Sequence, residues 1–320
     1  MRVVMAGLIV VCGAALGAWV WSGQPVPLAG VEFRAGEAGP LMRMLPGGRF
    51  TVGSPEDEVG RQPSEAQSNV DIAPFALAVH ELSVAEFAAF VEASGHVSEA
   101  ERGGSAEAGC FGPGADGRFG WQADLNWRDP GFPQAENHPV VCVSWNDVIA
   151  YLDWRNAGQQ TALRLPTEAE LEYAVRAGSG SAWPWGEEAD AGCASSNYAD
   201  AALLGARPGW AYPVAGCHDG HAYTAPLGSY PANPLGLRDT LGNVWEWSAS
   251  CWRDRPGDAE TAGPCESRVM RGGAWAYAPE RSRSASRGGH APSFRSVYAG
   301  ARLALDASAA QALIDSRGRP

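Results

Sequence analysis

The sequence predicts a single α+β domain of low regularity that is held together by disulfides. Three short segments carry the capping pattern that opens a helix. From about residue 178 to about residue 273, Gly, Pro, Trp, Asn and Asp dominate, which predicts long ordered loops. Seven cysteines are present, and all but Cys12 lie outside the N-terminal segment. An even set of cysteines in an oxidising compartment is typical of a disulfide framework.

Each predicted helix begins with a Ser or Thr followed three residues later by an acidic residue. The N-caps are Ser83, Ser144 and Thr167, and the expected stop residues are Gly95 and Gly178. A last strand is predicted at 298–305. The predicted organisation is an export signal or anchor at 1–23, a spacer at 24–41, one domain at 42–306 and a C-terminal tail at 307–320.

The charge and composition exclude several classes of protein. A formal net charge of −12 argues against a nucleic-acid-binding protein, which needs a basic surface. The chain contains no lysine, so all 24 basic residues are arginines, and Schiff-base chemistry through a lysine is excluded. No nucleotide-binding or hydrolase motif is present.

The N-terminus indicates export. One arginine precedes an uncharged run from Val3 to Trp21, which is typical of a signal peptide or a marginal spanning helix. We therefore expect a protein that is periplasmic or anchored to the inner membrane through residues 3–21 and faces the periplasm or the extracellular side. Both cleavage and anchoring remain open.

The six remaining cysteines fall into three pairs of sequence neighbours around loop-rich segments. A metal cluster is disfavoured because no C-x-x-C pair occurs among them. The predicted disulfides are Cys110–Cys142, Cys193–Cys217 and Cys251–Cys265.

Two segments carry oxygen ligands at spacings that suit a hard cation such as Ca²⁺. In "NPLGLRDTLGNVWEW", carboxylates at Asp239 and Glu246 flank the backbone carbonyls of Gly242 and Val244. A second candidate combines side-chain oxygens with main-chain carbonyls, from Asn197, Tyr198, Asp219 and His221. The alternative is that these residues cap turns and bridge loops.

Seven ordered blocks resemble the formylglycine-generating, or sulfatase-modifying factor, family. They include "LPGGRFTVGS", "RLPTEAELEYAVRAG", "TAPLGSYPANPLGLRDTLGNVWEW" and "GARLAL", and together they span residues 42–305. The resemblance implies a fold related to C-type lectins and two calcium sites at the eight residues named above.

The resemblance also marks what this chain lacks. In formylglycine-generating enzymes two cysteines bind copper, and their positions fall on Tyr277 and Ser282 here. A copper site without thiolates has lost its soft ligands, so the family's oxidation of a sulfatase cysteine is not expected. The stretch "RVMRGGAWAYAPERSRSASRGGH" is instead predicted to line a groove for an anionic or planar small molecule or peptide. The groove candidates are Trp275, Tyr277, Arg283, Arg287 and His290; alternatively, the arginines pair with acidic residues and fix the loops.

Two functional hypotheses follow. The first is an exported oxidoreductase of unassigned substrate, similar to the ergothioneine sulfoxide synthase or to a periplasmic pyoverdine-maturation protein. Such an enzyme would bind a redox metal, iron or copper, but no ligand spacing in the sequence supports such a site. The second is a calcium-stabilised, catalytically inactive module that binds a peptide, a glycan or a partner protein.

Overall fold

The computed structural model describes residues 29–37, 39–103, 108–158, 162–257 and 265–317. The predicted signal or anchor at 3–21 lies outside these residues. No helix in the described ranges is long and apolar enough to cross a membrane. The helices are α1 (Val84–Ser94), α2 (Trp145–Asn156), α3 (Glu168–Arg176), α4 (Ala201–Ala206) and α5 (Ala307–Arg317).

The strands are short and form two four-stranded sheets and two hairpins. They are β1 (Glu32–Arg34), β2 (Leu41–Leu45), β3 (Gly48–Val52), β4 (Ser68–Ile72), β5 (Phe75–Ala78), β6 (Cys110–Pro113), β7 (Phe119–Gln122), β8 (Trp245–Cys251), β9 (Arg268–Arg271), β10 (Arg287–His290), β11 (Ala299–Ala301) and β12 (Ala304–Asp306). The first sheet has the order β1-β2-β5-β12 and the second β10-β9-β8-β11, while β3–β4 and β6–β7 are hairpins. Only the β8–β11 pair is parallel. This α+β architecture of short elements confirms the predicted fold class.

The three predicted capping boxes are confirmed. The side chains of Ser83, Ser144 and Thr167 each accept a hydrogen bond from the backbone N–H three residues later, and the acidic residue there accepts one in return. Gly95 ends α1 in the left-handed conformation as expected. At the end of α3 that conformation falls on Ala177, one residue before the predicted Gly178.

Two boundaries differ from the sequence-based expectation. Residues 32–34 of the predicted spacer form β1, which pairs antiparallel with β2. The strand predicted at 298–305 is two strands, β11 and β12, which belong to different sheets. Arg302 lies between them and is fully buried, because its guanidinium binds Glu246 and the carbonyls of Ala78 and Val79.

The three predicted disulfides are confirmed, with Cα–Cα distances of 5.5, 6.1 and 5.8 Å in sequence order. They close loops in the region where regular structure is sparse, so they restrict the loops that the hydrogen-bonded sheets cannot hold. The main core lies between α1, α2 and the second sheet, and includes Phe87, Tyr151 and Trp247.

Candidate functional site

A partly open cleft lies beside strands β8, β9 and β10. Its volume is about 100 Å³, and it is lined by Trp245, Met270, Tyr277, Tyr298, Arg281, Arg283, Arg287, His290 and the segment around Gly60, among others. Four of the five predicted groove residues therefore meet in one cleft. Two aromatic residues that the sequence analysis did not select, Trp245 and Tyr298, complete its apolar side.

Trp275 does not line the cleft. It is fully buried in the core, where its indole Nε1 donates a hydrogen bond to the carbonyl of Val297 at 3.0 Å. Its ring packs edge-on against Phe132 and Tyr223 at centroid distances of 5.4 and 5.3 Å. The prediction of Trp275 as a groove residue was wrong. In a Gly-rich stretch without regular structure, the sequence does not indicate whether a side chain points to the core or to the surface.

Two of the cleft arginines are neutralised by buried carboxylates. Arg283 forms ion pairs with Glu58 and with Glu65, the second at 2.8 Å. Arg287 binds Glu168 with Nε at 2.6 Å, and its guanidinium lies 4.2 Å from the centroid of the Trp252 ring. For Arg283 and Arg287, the alternative that the arginines pair with acidic residues and fix the loops is therefore correct. They fix the 54–65 loop and β10 at the edge of the cleft.

Arg281 is the cation that remains available in the cleft. It is exposed and forms no ion pair within the part of the chain that the structure describes. His290 lies nearby with its ring stacked on Phe294 at 4.1 Å. Burial lowers the pKa of His290 below its ordinary value, so its imidazole is neutral at pH 7 and can donate or accept a hydrogen bond.

The apolar side of the cleft is a cluster of hydrogen-bonding aromatic rings. Tyr277 packs edge-on against Tyr298 at 5.2 Å and against Trp245 at 5.9 Å. Burial and the neighbouring Tyr298 hydroxyl raise the pKa of Tyr277 well above its ordinary value, so its phenol stays protonated. The Nε1 of Trp245 is buried and has no hydrogen-bond partner among the described residues.

The cleft does not fit a cysteine-bound copper ion. The six cysteines after Cys12 are all in disulfides, and Tyr277 and Ser282, where the resemblance predicts the copper-binding pair, offer no thiol. A three-ligand iron site does not fit either, because the only group of three His, Cys, Asp or Glu ligands found among the described residues is Cys193, Asp200 and Asp219, which is elsewhere.

The predicted calcium site at Asp239 and Glu246 contains a third acidic residue, Glu81. Both carboxylate oxygens of Glu81 and Oδ1 of Asp239 are buried and have no hydrogen-bond partner among the residues that the structure describes. Asp239 Oδ2 accepts from the backbone of Gly228 at 2.7 Å, and Glu246 is bound by Arg302 at 2.9 Å. Burial, with Asp239 next in importance, raises the pKa of Glu81 well above its ordinary value.

A hard divalent cation would supply the charge and the ligand bonds that the Glu81 and Asp239 oxygens lack. Glu81, Asp239 and Glu246 do not, however, bring three ligand atoms within 4.8 Å of one another. Gly242 holds the loop in place: its φ is +76°, and a Cβ there would lie 2.5 Å from the carbonyl oxygen of Asn197. Val244 contributes its side chain to the core and its backbone to the same turn. The one local sign of Glu81 in the sequence is an acidic residue beside the apolar Leu82 just before α1.

At the other predicted calcium site, Asn197 and Asp219 are brought close together. Oδ1 of Asn197 is buried and unpartnered, while its Nδ2 donates to the carbonyl of Tyr223 at 2.8 Å. The Asp219 carboxylate accepts from the backbone N–H groups of Tyr198 at 2.7 Å and His221 at 2.8 Å. These bonds hold the backbone of Tyr198 and His221 beside Asp219 through their N–H groups; that their carbonyls bind calcium stays a prediction.

Asp200 is an acidic neighbour of this site that the sequence analysis missed. Its carboxylate accepts a short hydrogen bond from the backbone of Asp219, and Asp200, Asp219 and Cys193 form one cluster. Cys193 is held in its disulfide and offers no thiolate. Burial, and to a smaller degree the charge of Asp200, raises the pKa of Asp219 to about 6. The unpartnered Asn197 oxygen and these two carboxylates also fit a hard cation.

Comparison with known proteins shows that most of the chain is similar to one family. The pattern of the "Sulfatase-modifying factor enzyme 1-like domain" matches residues 30–307. The formylglycine-generating enzyme of Streptomyces coelicolor is 36% identical over 85% of this chain and 94% of its own. The hercynine oxygenase of Mycolicibacterium thermoresistibile is 31% identical over 74% of this chain and 52% of its own. The solved structure of PvdO from Pseudomonas aeruginosa superimposes with a TM-score of 0.68 at 32% identity, covering 89% of this chain and all of PvdO.

Proposed function

Because the chain belongs to the sulfatase-modifying factor, or formylglycine-generating enzyme, family, we propose that it is an exported oxidoreductase-type member that works without the two-cysteine copper centre. Its substrate, a small molecule or a peptide, would bind in the cleft between Tyr277, Arg281 and His290. The observation that carries this proposal is that four of the five residues predicted to line a groove, Tyr277 among them, meet in one cleft.

The cleft lining supports an anionic or planar substrate. Arg281 is exposed in the cleft and forms no ion pair within the described residues, although Glu280 also lines the cleft. The rings of Tyr277 and Tyr298 provide a flat apolar wall. A hercynine oxygenase among the relatives agrees with oxidation chemistry in this family, although that relative extends well beyond the matched region.

A calcium-stabilised binding module is the second candidate. It is favoured by the replacement of both thiolates and by the single imidazole in the cleft, because a ligand can be held there by the same donors without any redox centre.

We also propose that calcium occupies both carboxylate sites. Glu81, Asp239 and Glu246 would hold one ion with carbonyls of the Gly242–Val244 turn, and Asn197, Asp219 and Asp200 the other. Bound Ca²⁺ would supply positive charge and fix the loops on which the cleft depends. Export is likewise part of the proposal, supported by three disulfides, which persist in oxidising compartments.

Elemental analysis and an oxygen-uptake assay test these proposals together. The protein is produced in an oxidising compartment, and calcium, iron and copper are counted per chain before and after dialysis against a weak chelator. It is then incubated with a small-molecule extract of the cells that make it, while dissolved oxygen is recorded and mass changes are followed. The variants are Tyr277→Phe and His290→Gln, with the exposed Glu92→Gln as the matched control.

Oxygen uptake with an oxidised product, reduced in both cleft variants and retained in Glu92→Gln, would support the oxidoreductase. A compound that is retained unchanged by the wild type and released by the cleft variants would support the binding module instead. If the cleft variants behave like the wild type in both respects, the cleft is not the functional site.

A further inference from the structure

A second and larger cleft lies on the other side of α3 from the candidate site. Its volume is about 710 Å³, within the range of about 300–1,000 Å³ that is common for ligand sites. It is lined by β3 with its flanking glycines, by the end of α3 with the following Gly178–Gly180 segment, and by Pro234 and Leu235. Neither the calcium ligands nor the cleft at Tyr277 contribute to it.

Strand β3 presents a free edge to this cleft. The strand pairs with β4 only, and no residue of β4 lines the cleft, so the cleft lies on the side of β3 that faces away from β4. Within the described residues, the backbone of 48–52 makes no hydrogen bond besides those of the β3–β4 ladder. A free strand edge offers a row of N–H and C=O groups that another extended chain can pair with.

The opposite wall of the cleft can receive side chains. Phe50 and Tyr173 pack edge-on at 5.6 Å, and both are half-buried beside Leu235. Tyr173 is held in place because its hydroxyl donates to the carbonyl of Gly47 at 2.8 Å. Along an added strand every second side chain would point to this apolar wall.

The charge of the cleft favours an acidic occupant. No Asp or Glu lines it, although the chain carries a net charge of −12. Arg176 at the inner end is already bound to Glu172 and to the carbonyl of Gly53. Arg49 is exposed and forms no ion pair in the described ranges, although Asp71 lies opposite it on β4. It can therefore pair with an acidic side chain on an added strand.

We propose that this cleft binds an extended peptide of a partner protein as an additional strand on β3, with apolar side chains facing Phe50, Tyr173 and Leu235 and acidic side chains alternating with them near Arg49. Backbone pairing supplies the affinity, and the apolar wall with Arg49 supplies the selectivity. This inference does not depend on what the cleft at Tyr277 does.

Labelled hexapeptides in which Glu alternates with Val, Ile, Leu, Phe or Tyr provide the test, with binding measured by fluorescence anisotropy. At least one should bind the wild type, and the same peptide with all its amides N-methylated should not, because it has lost its backbone donors. Arg49→Glu should weaken binding by about two- to fivefold, in proportion to one cross-strand ion pair.

Gly180→Leu should block the cleft and weaken binding by about tenfold or more. A Cβ at Gly180 meets no atom within 4 Å and the backbone there needs no positive φ, so the variant should melt like the wild type. Gly209→Leu is the matched control, since Gly209 is equally open but lies outside this cleft.

The proposal is overturned if no peptide of the set binds up to millimolar concentration, or if binding survives N-methylation or Gly180→Leu. It is also overturned if sedimentation shows a dimer of this chain that Gly180→Leu dissociates, since a second copy would then occupy the edge.

Discussion

Replacing Glu81 by Gln should remove one of the two calcium ions and the stability that this ion confers. The side chain keeps its size, but it loses the charge that the cation would neutralise. In the wild type three buried carboxylates share the positive charge of Arg302 alone, with His80 at 3.6 Å from Asp239 as the next candidate cation. A divalent ion at this cluster compensates the excess charge and satisfies the unpartnered oxygens of Glu81 and Asp239.

The magnitude follows from mass action. For a carboxylate-rich site with a Kd of about 10 µM, free calcium at about 1 mM stabilises the folded state by about 2.7 kcal/mol. For a domain of this size that corresponds to a rise in Tm of about 5–10 °C. The calcium-dependent rise in Tm should therefore be smaller in Glu81→Gln than in the wild type by about 5–10 °C, and isothermal titration should count one calcium fewer per chain.

The control is Glu92→Gln, at an exposed position on α1, which should keep both ions. In chelator, Glu81→Gln should melt within a few degrees of the wild type, because the raised pKa of Glu81 shows that its charge is unfavourable in the empty site. The reasoning is refuted if the wild type melts at the same temperature in calcium and in chelator, or if Glu81→Gln retains the full shift and stoichiometry.

Three further outcomes are expected. Arg283→Met should lower the free energy of unfolding by about 3–5 kcal/mol, because it leaves two buried carboxylates without their partner. Chemical denaturation measures this loss, and the control Arg281→Met should show almost none. Reduction should lower Tm strongly, since three disulfides close the loops; six thiols reactive in the native protein after Cys12 would contradict this. Glu101→Gln should lower Tm at pH 7. Burial alone would raise the pKa of Glu101, but hydrogen bonds from Ser98 and Trp127 outweigh burial and lower that pKa, so the ionised carboxylate stabilises the fold. Its stabilisation is present above the unfolded pKa and is lost as pH falls through the folded one, so the two proteins should converge below the folded pKa of Glu101. A difference that persists in acid would exclude this cause.

Features that depend on residues close together in the chain could be predicted without the structure. A capping box needs a Ser or Thr and an acidic residue three positions apart, so the starts of α1, α2 and α3 could be predicted from the chain alone. The disulfides join cysteines that are neighbours in the cysteine order, with separations of 32, 24 and 14 residues. The prediction that Tyr277 and Ser282 replace the family's copper-binding cysteines likewise rested on the motif alone.

Tertiary structure decided which side chains face the cleft and which acidic residues meet. Arg283 lies 225 residues from Glu58 and 218 from Glu65, and no local pattern indicates that these charges neutralise one another. Glu81 joins Asp239 and Glu246 only because β5, β8 and the Arg302 segment converge, and Trp275 enters the core for a similar reason. The physical cause is the same in each case: the free energy of a buried charge or ring depends on partners that packing brings together, and sequence spacing does not record them.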